Sequence, residues 1–271
     1  MAGAGIPRLP KIPVARHDAA MTRARGWQWR RWLGGALAAA CLAVPAGADP
    51  SARPLVMLVE TSALMPQARI EDDRVVEGLH LDLGRALGRR MGREVVARPV
   101  PRKRLAEALQ RGEGDLLCDY QSDWLPGAFA WSRPFIPDQA LLISPAAVPA
   151  PGTLAALAGQ PVGTVRGYVY PEMTDLLRGG FIREDAPDAV VNLQKLEIGR
   201  VRHALTGRRV LEYQQRIGNF KTPLHPPLVV SEVMAQCALS PSSPVGLASL
   251  NAAIQGLVAE GELGRLLARY R

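Results

Sequence analysis

Residues 78–135, GLHLDLGRALGRRMGREVVARPVPRKRLAEALQRGEGDLLCDYQSDWLPGAFAWSRPF, read as helix, strand, helix, strand and turn, with a punctuating residue at each boundary. Asp82 is placed to cap a helix whose apolar residues Leu83, Leu87 and Met91 recur at four-residue spacing, and Gly92 ends it. Residues 94–99 form a predicted strand, and Pro101 leads into a second helix carrying Leu105, Ala106 and Leu109. Gly112 and Gly114 stop that helix, and residues 115–120, DLLCDY, follow as a short, mostly buried strand. Such alternation predicts an α/β fold with a mainly parallel sheet covered by helices. Binding groups then belong on the loops at the carboxyl ends of the strands.

The same grammar extends in both directions. Residues 55–59 form an apolar strand, followed by a polar loop over 60–74. After the WSRPF turn come an apolar strand at 140–143 and a Pro/Ala-rich connector at 144–153. Residues 162–165 read as a strand and 171–177 as a short helix opened by Pro171 and stopped by Gly179 and Gly180. A further unit is expected as a strand at 190–193 and a helix at 195–205 carrying Leu196, Val201 and Leu205, broken at Gly207. Residues 209–214 are expected as another strand, and 229–239 as a long apolar extended segment. At the carboxyl end Leu250, Ile254, Leu257 and Val258 share a helical face. Gly261 interrupts it before Leu263, Leu266, Leu267 and Tyr270.

Residues 1–48 read as a leader that is removed. Arg23, Arg25, Arg30 and Arg31 precede an apolar run at 32–44, and Ala46-Gly47-Ala48 supplies a small-residue cleavage pattern, so the mature chain is expected to begin at Asp49 in the periplasm. The apolar run falls short of the roughly 20 residues a spanning helix needs. Arg30-Arg31 lacks the Ser or Thr that precedes a twin-arginine signal, and Ala38 stands where a lipid-attachment box ahead of Cys41 has Leu. Residues 1–48 hold seven Lys or Arg and one acid, so +6 of the formal net charge of +8 leaves with the leader and about +2 remains. That small charge removes the case for a nucleic-acid partner.

The mature chain keeps two cysteines, Cys118 and Cys237, which export permits to pair and burial permits to remain free thiols. These cysteines and the dispersed His80, His203 and His225 show no metal-ligand spacing, and no cofactor is expected. Gly112-Glu113-Gly114 begins like a dinucleotide fingerprint, but Leu117 stands at the third glycine position and a strand follows instead of a helix. The chain carries no Gly-x-Ser-x-Gly, His-Glu-x-x-His or Cys-x-x-Cys motif.

From residue 54 onward the chain resembles the periplasmic solute-binding proteins of family 3, the amino-acid-type receptors of ABC importers. The resemblance rests on Gly78 through Leu83 with the helix ending at Gly92, and on Arg104 through Leu109 with Gly112 and Asp115. It continues through WSRPF at 131–135, LAGQPVG at 157–163, ALTGR at 204–208 and the terminal helices. It implies two α/β lobes joined by two crossing segments, with a small-molecule solute held in the cleft between them. Lobe one would comprise 49–137 plus 233–271 and lobe two 138–232. It also implies that the strand returning from lobe two runs antiparallel beside the strand ending at Tyr120, which brings Cys118 and Cys237 together as a disulfide. The implied role is capture by a monomer and delivery to the membrane permease of an ABC importer, without catalysis. Family resemblance leaves two alternatives: an enzyme on the same fold, of the cyclohexadienyl dehydratase kind, with Glu60 or Glu212 as the acid, or a ligand-binding module of a sensor.

The family pattern is not matched everywhere. Amino-acid receptors of the family usually carry an Arg shortly before the WSRPF-like turn, to grip the ligand carboxylate through its fork. Residues 121–127, QSDWLPG, contain none, and the acid expected shortly after Gly207 is missing at Val210, leaving Glu212 as the nearest candidate. The expected ligand contacts are therefore aromatic and loop groups. They are Trp124, Trp131, Tyr120 and Tyr168 for planar, apolar or cationic groups, Arg166 and Gly167 before the helix at Pro171 for an anion, and Glu60 for an amine. Trp131 and Tyr213 are equally readable as core.

Overall fold

A computed structural model of the chain describes residues 53–271. The leader, its cleavage pattern and Cys41 lie outside the described residues. The strands are β1 Leu55–Glu60, β2 Arg69–Glu71, β3 Arg74–Glu77, β4 Val95–Val100, β5 Leu116–Tyr120 and β6 Ala130–Trp131. They continue as β7 Ile136–Ile143, β8 Pro161–Val165, β9 Ile182–Ala186, β10 His203–Gly207 and β11 Leu228–Leu239. The α-helices are α1 Leu79–Arg90, α2 Leu105–Gln110, α3 Pro171–Leu177, α4 Ala189–Glu197, α5 Arg208–Arg216, α6 Leu247–Ala259 and α7 Glu262–Arg269. Among the described residues no helix is long and apolar enough to cross a membrane.

One curled mixed sheet carries the order β4-β1-β5-β11-β7-β10-β8-β9, with β6 paired to β11, and β2 and β3 form a separate hairpin. The pairs β1/β4, β1/β5, β8/β10 and β8/β9 are parallel, as βα units demand. Strand β11 is antiparallel to all its partners. Its first part pairs with β7 and its last part with β5 and β6, so this one strand ties both ends of the sheet together. Cys237 lies opposite Cys118 in that register, and the two form a disulfide across 119 residues of sequence.

Burial follows the apolar periodicity. Leu79, Leu83, Ala86 and Leu87 of α1 pack with Leu250, Ile254 and Leu257 of α6 and with Leu263, Leu266 and Leu267 of α7 over β1 and β5. The opposite face of those strands buries Leu58 and Leu117 against Leu105, Ala108 and Leu109 of α2. At the other end of the sheet, Leu141 and Ile143 pack beneath α4 and α5. On the reverse side there, Leu142, Val162 and Leu205 pack against Met173 and Leu177 of α3.

Three local expectations are corrected. Asp82 does not cap α1: the helix begins at Leu79 after Gly78, and the Asp82 carboxylate accepts the Tyr270 hydroxyl at 2.8 Å. The segment expected as strand 190–193 and helix 195–205 is α4 followed by β10. Asp188 caps α4 by accepting the Val191 N–H at 2.8 Å, Leu193 and Leu196 fall on its buried face, and Gly199, at φ 73°, ends the turn. The segment expected as strand 209–214 is α5, whose buried Val210, Leu211 and Gln214 share one helical face.

Gly78 is the residue that lets α1 start where it does. Its φ is 123°, and a Cβ there would sit 2.5 Å from the Gln67 carbonyl oxygen and 2.6 Å from the Ala68 Cα. Both obstacles are backbone, so a side chain cannot turn away from them. Gly78→Ala should therefore lower the unfolding free energy by about 1 to 3 kcal/mol in urea titration. Gly152→Ala, where a Cβ meets nothing within 4 Å, should change it by less than about 0.5 kcal/mol.

Candidate ligand-binding cleft

A cavity of about 190 Å³ opens where the two ends of the sheet face each other, at the carboxyl ends of β1, β5, β8 and β10. From one side come Glu60 at the end of β1, Asp119 and Tyr120 at the end of β5, Arg102 after β4, His80 on α1 and Trp124. Asp138 and Gln139 of β7, Tyr168 after β8, and Thr206, Gly207 and Arg209 at the β10–α5 junction come from the other.

Two charge networks form the polar wall. In the first, Glu60 Oε2 accepts from the Tyr120 hydroxyl at 2.7 Å and from Arg102 Nη1 at 2.8 Å, while the Ser62 hydroxyl donates to Oε1. Arg102 Nη1 also donates to the Tyr120 oxygen at 3.1 Å. Its Nε donates to the Gly167 carbonyl at 2.9 Å, and its guanidinium lies 4.6 Å from the Tyr168 ring centre, a cation–π distance. Arg102 thus spans the cleft. Burial, reinforced by the Glu60 carboxylate, pushes the Tyr120 phenol well above its usual range, so it acts as a hydrogen-bond donor at neutral pH.

The second network centres on Arg209, 4 % exposed, in the first turn of α5. Its Nη2 donates to Asp119 Oδ1 at 2.8 Å, and its Nε stands 3.0 Å from Asp138 Oδ2 in an ion-pair contact that lacks hydrogen-bond geometry. Asp119 Oδ2 meets His80 Nε2 at 3.3 Å. Asp138 Oδ1 accepts the backbone N–H of Gln139 at 2.8 Å and of Arg209 at 3.3 Å. Burial alone would raise the Asp119 carboxyl, but Arg209 and His80 outweigh it and hold that group well below the usual carboxylate range. For Asp138 burial prevails over Arg209 and moves the carboxyl upward. Asp119 adopts φ 64°, in the left-handed region that Asp tolerates better than most residues.

Of the residues singled out in the sequence, Glu60, Tyr120, Trp124 and Tyr168 line this one cavity. Tyr120 and Trp124 meet edge to face, with ring centres 6.3 Å apart. Gly167 touches the wall through the carbonyl that Arg102 holds. Arg166 is exposed and outside the lining, Trp131 is half-buried in β6, and Glu212 faces Arg208 at 3.5 Å on the flank of α5. Sequence reasoning missed Arg102, Asp119, Asp138 and Arg209. A signal was present for three of them: Asp119 and Asp138 are charges set into mostly apolar strands, and Arg209 is the second residue after the buried β10. Among the described residues no cluster of His, Cys, Asp or Glu is arranged to hold a metal ion.

A family model described as bacterial extracellular solute-binding proteins, family 3, matches residues 56–271. No curated protein matches the chain. Among solved structures, the GluR0 ligand-binding core in complex with L-glutamate superimposes with a TM-score of 0.67 at 17 % identity, covering 81 % of this chain and 99 % of that one. An ancestral amino acid-binding protein, AncCDT-1, described as a precursor of cyclohexadienyl dehydratase, gives 0.65 at 15 %, covering 80 % and 94 %. The amino acid ABC transporter substrate-binding protein AbpA from Streptococcus pneumoniae, bound to L-arginine, gives 0.62 at 17 %, covering 80 % and 93 %. At these identities the likeness is one of fold.

Proposed function

Because the chain belongs to the bacterial extracellular solute-binding proteins of family 3, we propose that it is a periplasmic receptor that captures a small polar solute in this cleft and delivers it to an ABC-type permease. The observation that carries this reading is that the cavity wall is built from both ends of the sheet and bridged across. Besides Arg102 to Gly167 and Arg209 to Asp119, Gln214 Nε2 donates to the Met65 carbonyl at 3.0 Å. In this proposal residues 49–137 plus 233–271 form one lobe and 138–232 the other, with β7 and β11 as the crossing segments. The bridges are the contacts that closure makes and opening breaks. Trp124, Tyr120 and Tyr168 supply the apolar contact area for the solute.

A thermal-shift screen against amino acids, polyamines, aromatic acids and small organic anions tests this reading. A solute at one hundred times its dissociation constant adds about 2.7 kcal/mol of stability, a shift such a screen resolves. Trp124→Ala should then weaken the best hit by about fivefold, in keeping with the roughly 1 kcal/mol that an aromatic contact carries. An unchanged affinity would place the solute elsewhere.

A second reading, an enzyme on the same fold, draws on Asp138, a carboxyl in the cavity wall that desolvation moves upward from its ordinary value. Recovery of the bound hit unchanged after long incubation supports the receptor. Appearance of a product that Asp138→Asn abolishes would establish the enzyme.

A further inference from the structure

We infer that Arg209 is the anion anchor of the cleft and that the solute it takes carries a carboxylate, an assignment that rests on the reading of the cleft as a solute site. The hydrogen-bonding capacity of the wall points this way. Two carboxylates of the wall already have both oxygens engaged: Glu60 by Ser62, Tyr120 and Arg102, and Asp119 by Arg209 and His80. Arg209 is the exception, because its Nε and Nη1 are both buried and make no hydrogen bond among the described residues, and only Nε has a carboxylate, Asp138, in ion-pair contact. An unpartnered buried donor on a charged group is expensive to keep, which makes it a marker of a missing acceptor.

The geometry of the guanidinium says which acceptor. Asp119 is bonded to Nη2, and Asp138 stands in ion-pair contact with Nε. The remaining edge pairs Nη1 with the second N–H of Nη2, the fork that a carboxylate meets with two parallel bonds. Asp138 belongs to the same end of the sheet as Arg209 and holds its backbone N–H as well, so it steadies the side chain from behind. Asp119 sits across the cleft on β5, and its bond to Arg209 is one that opening breaks. Both terminal nitrogens are then available to an entering carboxylate, with the first turn of α5 adding its positive end to the field. The positive anchor therefore comes from the side of the cleft opposite residues 121–127.

The test uses acid and amide pairs of the same shape: benzoate with benzamide, succinate with succinamide, and L-leucine with L-leucinamide, with putrescine as a cation. Thermal shift and calorimetry on the unaltered protein should find stabilisation by at least one acid and none by its amide. Arg209→Lys keeps the positive charge between Asp119 and Asp138 but loses the fork, and should weaken the acid by about tenfold. Arg209→Gln should weaken it by about 100-fold, within the range that charged hydrogen bonds carry. If Arg209→Gln does not fold, the lysine variant and the acid–amide comparison decide the question. Equal binding of acid and amide, or an acid bound by Arg209→Lys as tightly as by the unaltered protein, would overturn the anchor while leaving solute capture intact. Stabilisation by amides or putrescine alone would do the same. No shift with any compound in this panel or in the wider screen would overturn both.

Discussion

Replacing Cys118 and Cys237 together by alanine should lower the unfolding free energy by about 4 to 5 kcal/mol, the entropy that a cross-link spanning a loop of this size removes from the unfolded chain. The bond closes 119 residues, and the loop it closes contains all of β7 through β10. Both cysteines are at most 3 % exposed, and they face each other where β11 leaves β7 for β5, so the bridge fastens the strand that ties the sheet together at its centre. Guanidinium unfolding of oxidised protein and of the alanine pair measures the difference directly. A loss below about 1 kcal/mol would mean that the unfolded chain already holds these strands together without the bond. Alkylation of unreduced protein should label neither Cys118 nor Cys237.

Arg209→Met should cost about 3 to 5 kcal/mol, because it leaves Asp119 and Asp138 buried without their counter-charge. The acid dependence of the two proteins should differ in steepness. Asp119 has a depressed carboxyl in the folded state, so its contribution is fully present above the ordinary carboxylate value of about 4 and is lost as pH falls below it. Unaltered protein should therefore lose stability on acidification below about pH 4. In Arg209→Met the same carboxyl keeps its burial and its His80 contact but loses the guanidinium, so it is held down less strongly. That variant should lose less stability between pH 5 and pH 3.5 than the unaltered protein does. Unfolding free energies at pH 7, 5 and 3.5 check the difference, and parallel curves for the two proteins would show that Asp119 does not depend on Arg209.

Much of the architecture was legible because it is local. Leu83, Leu87 and the terminal leucines repeat at helical spacing, the β1 and β5 runs are short and apolar, and Pro171 marks the first residue of α3. Where the reading failed, two local signals competed. Residues 190–193 are β-branched and apolar enough for a strand, but Asp188 as a cap and Leu193 and Leu196 on one face settle them as helix. Residues 209–214 carry only two apolar positions between charges, a pattern that acquires a period only once β10 and β7 supply a surface to bury them against. Half of the expected ligand contacts line the cavity, and those that do lie where a strand ends, a position that topology alone assigns.

By itself the sequence determined the helix and strand succession over residues 79–120 and the two terminal helices, the likeness to a family and the absence of a carboxylate-gripping Arg at residues 121–127. Each depends on neighbours along the chain. Only the tertiary structure decided which charges meet. Arg209 and Asp119 stand 90 residues apart and Arg102 and Gly167 65 apart, so their contacts exist only after the long β11 has brought the two ends of the sheet face to face. A buried charge requires a partner at hydrogen-bond distance, and that partner is chosen by position in space, which no local pattern of residues encodes.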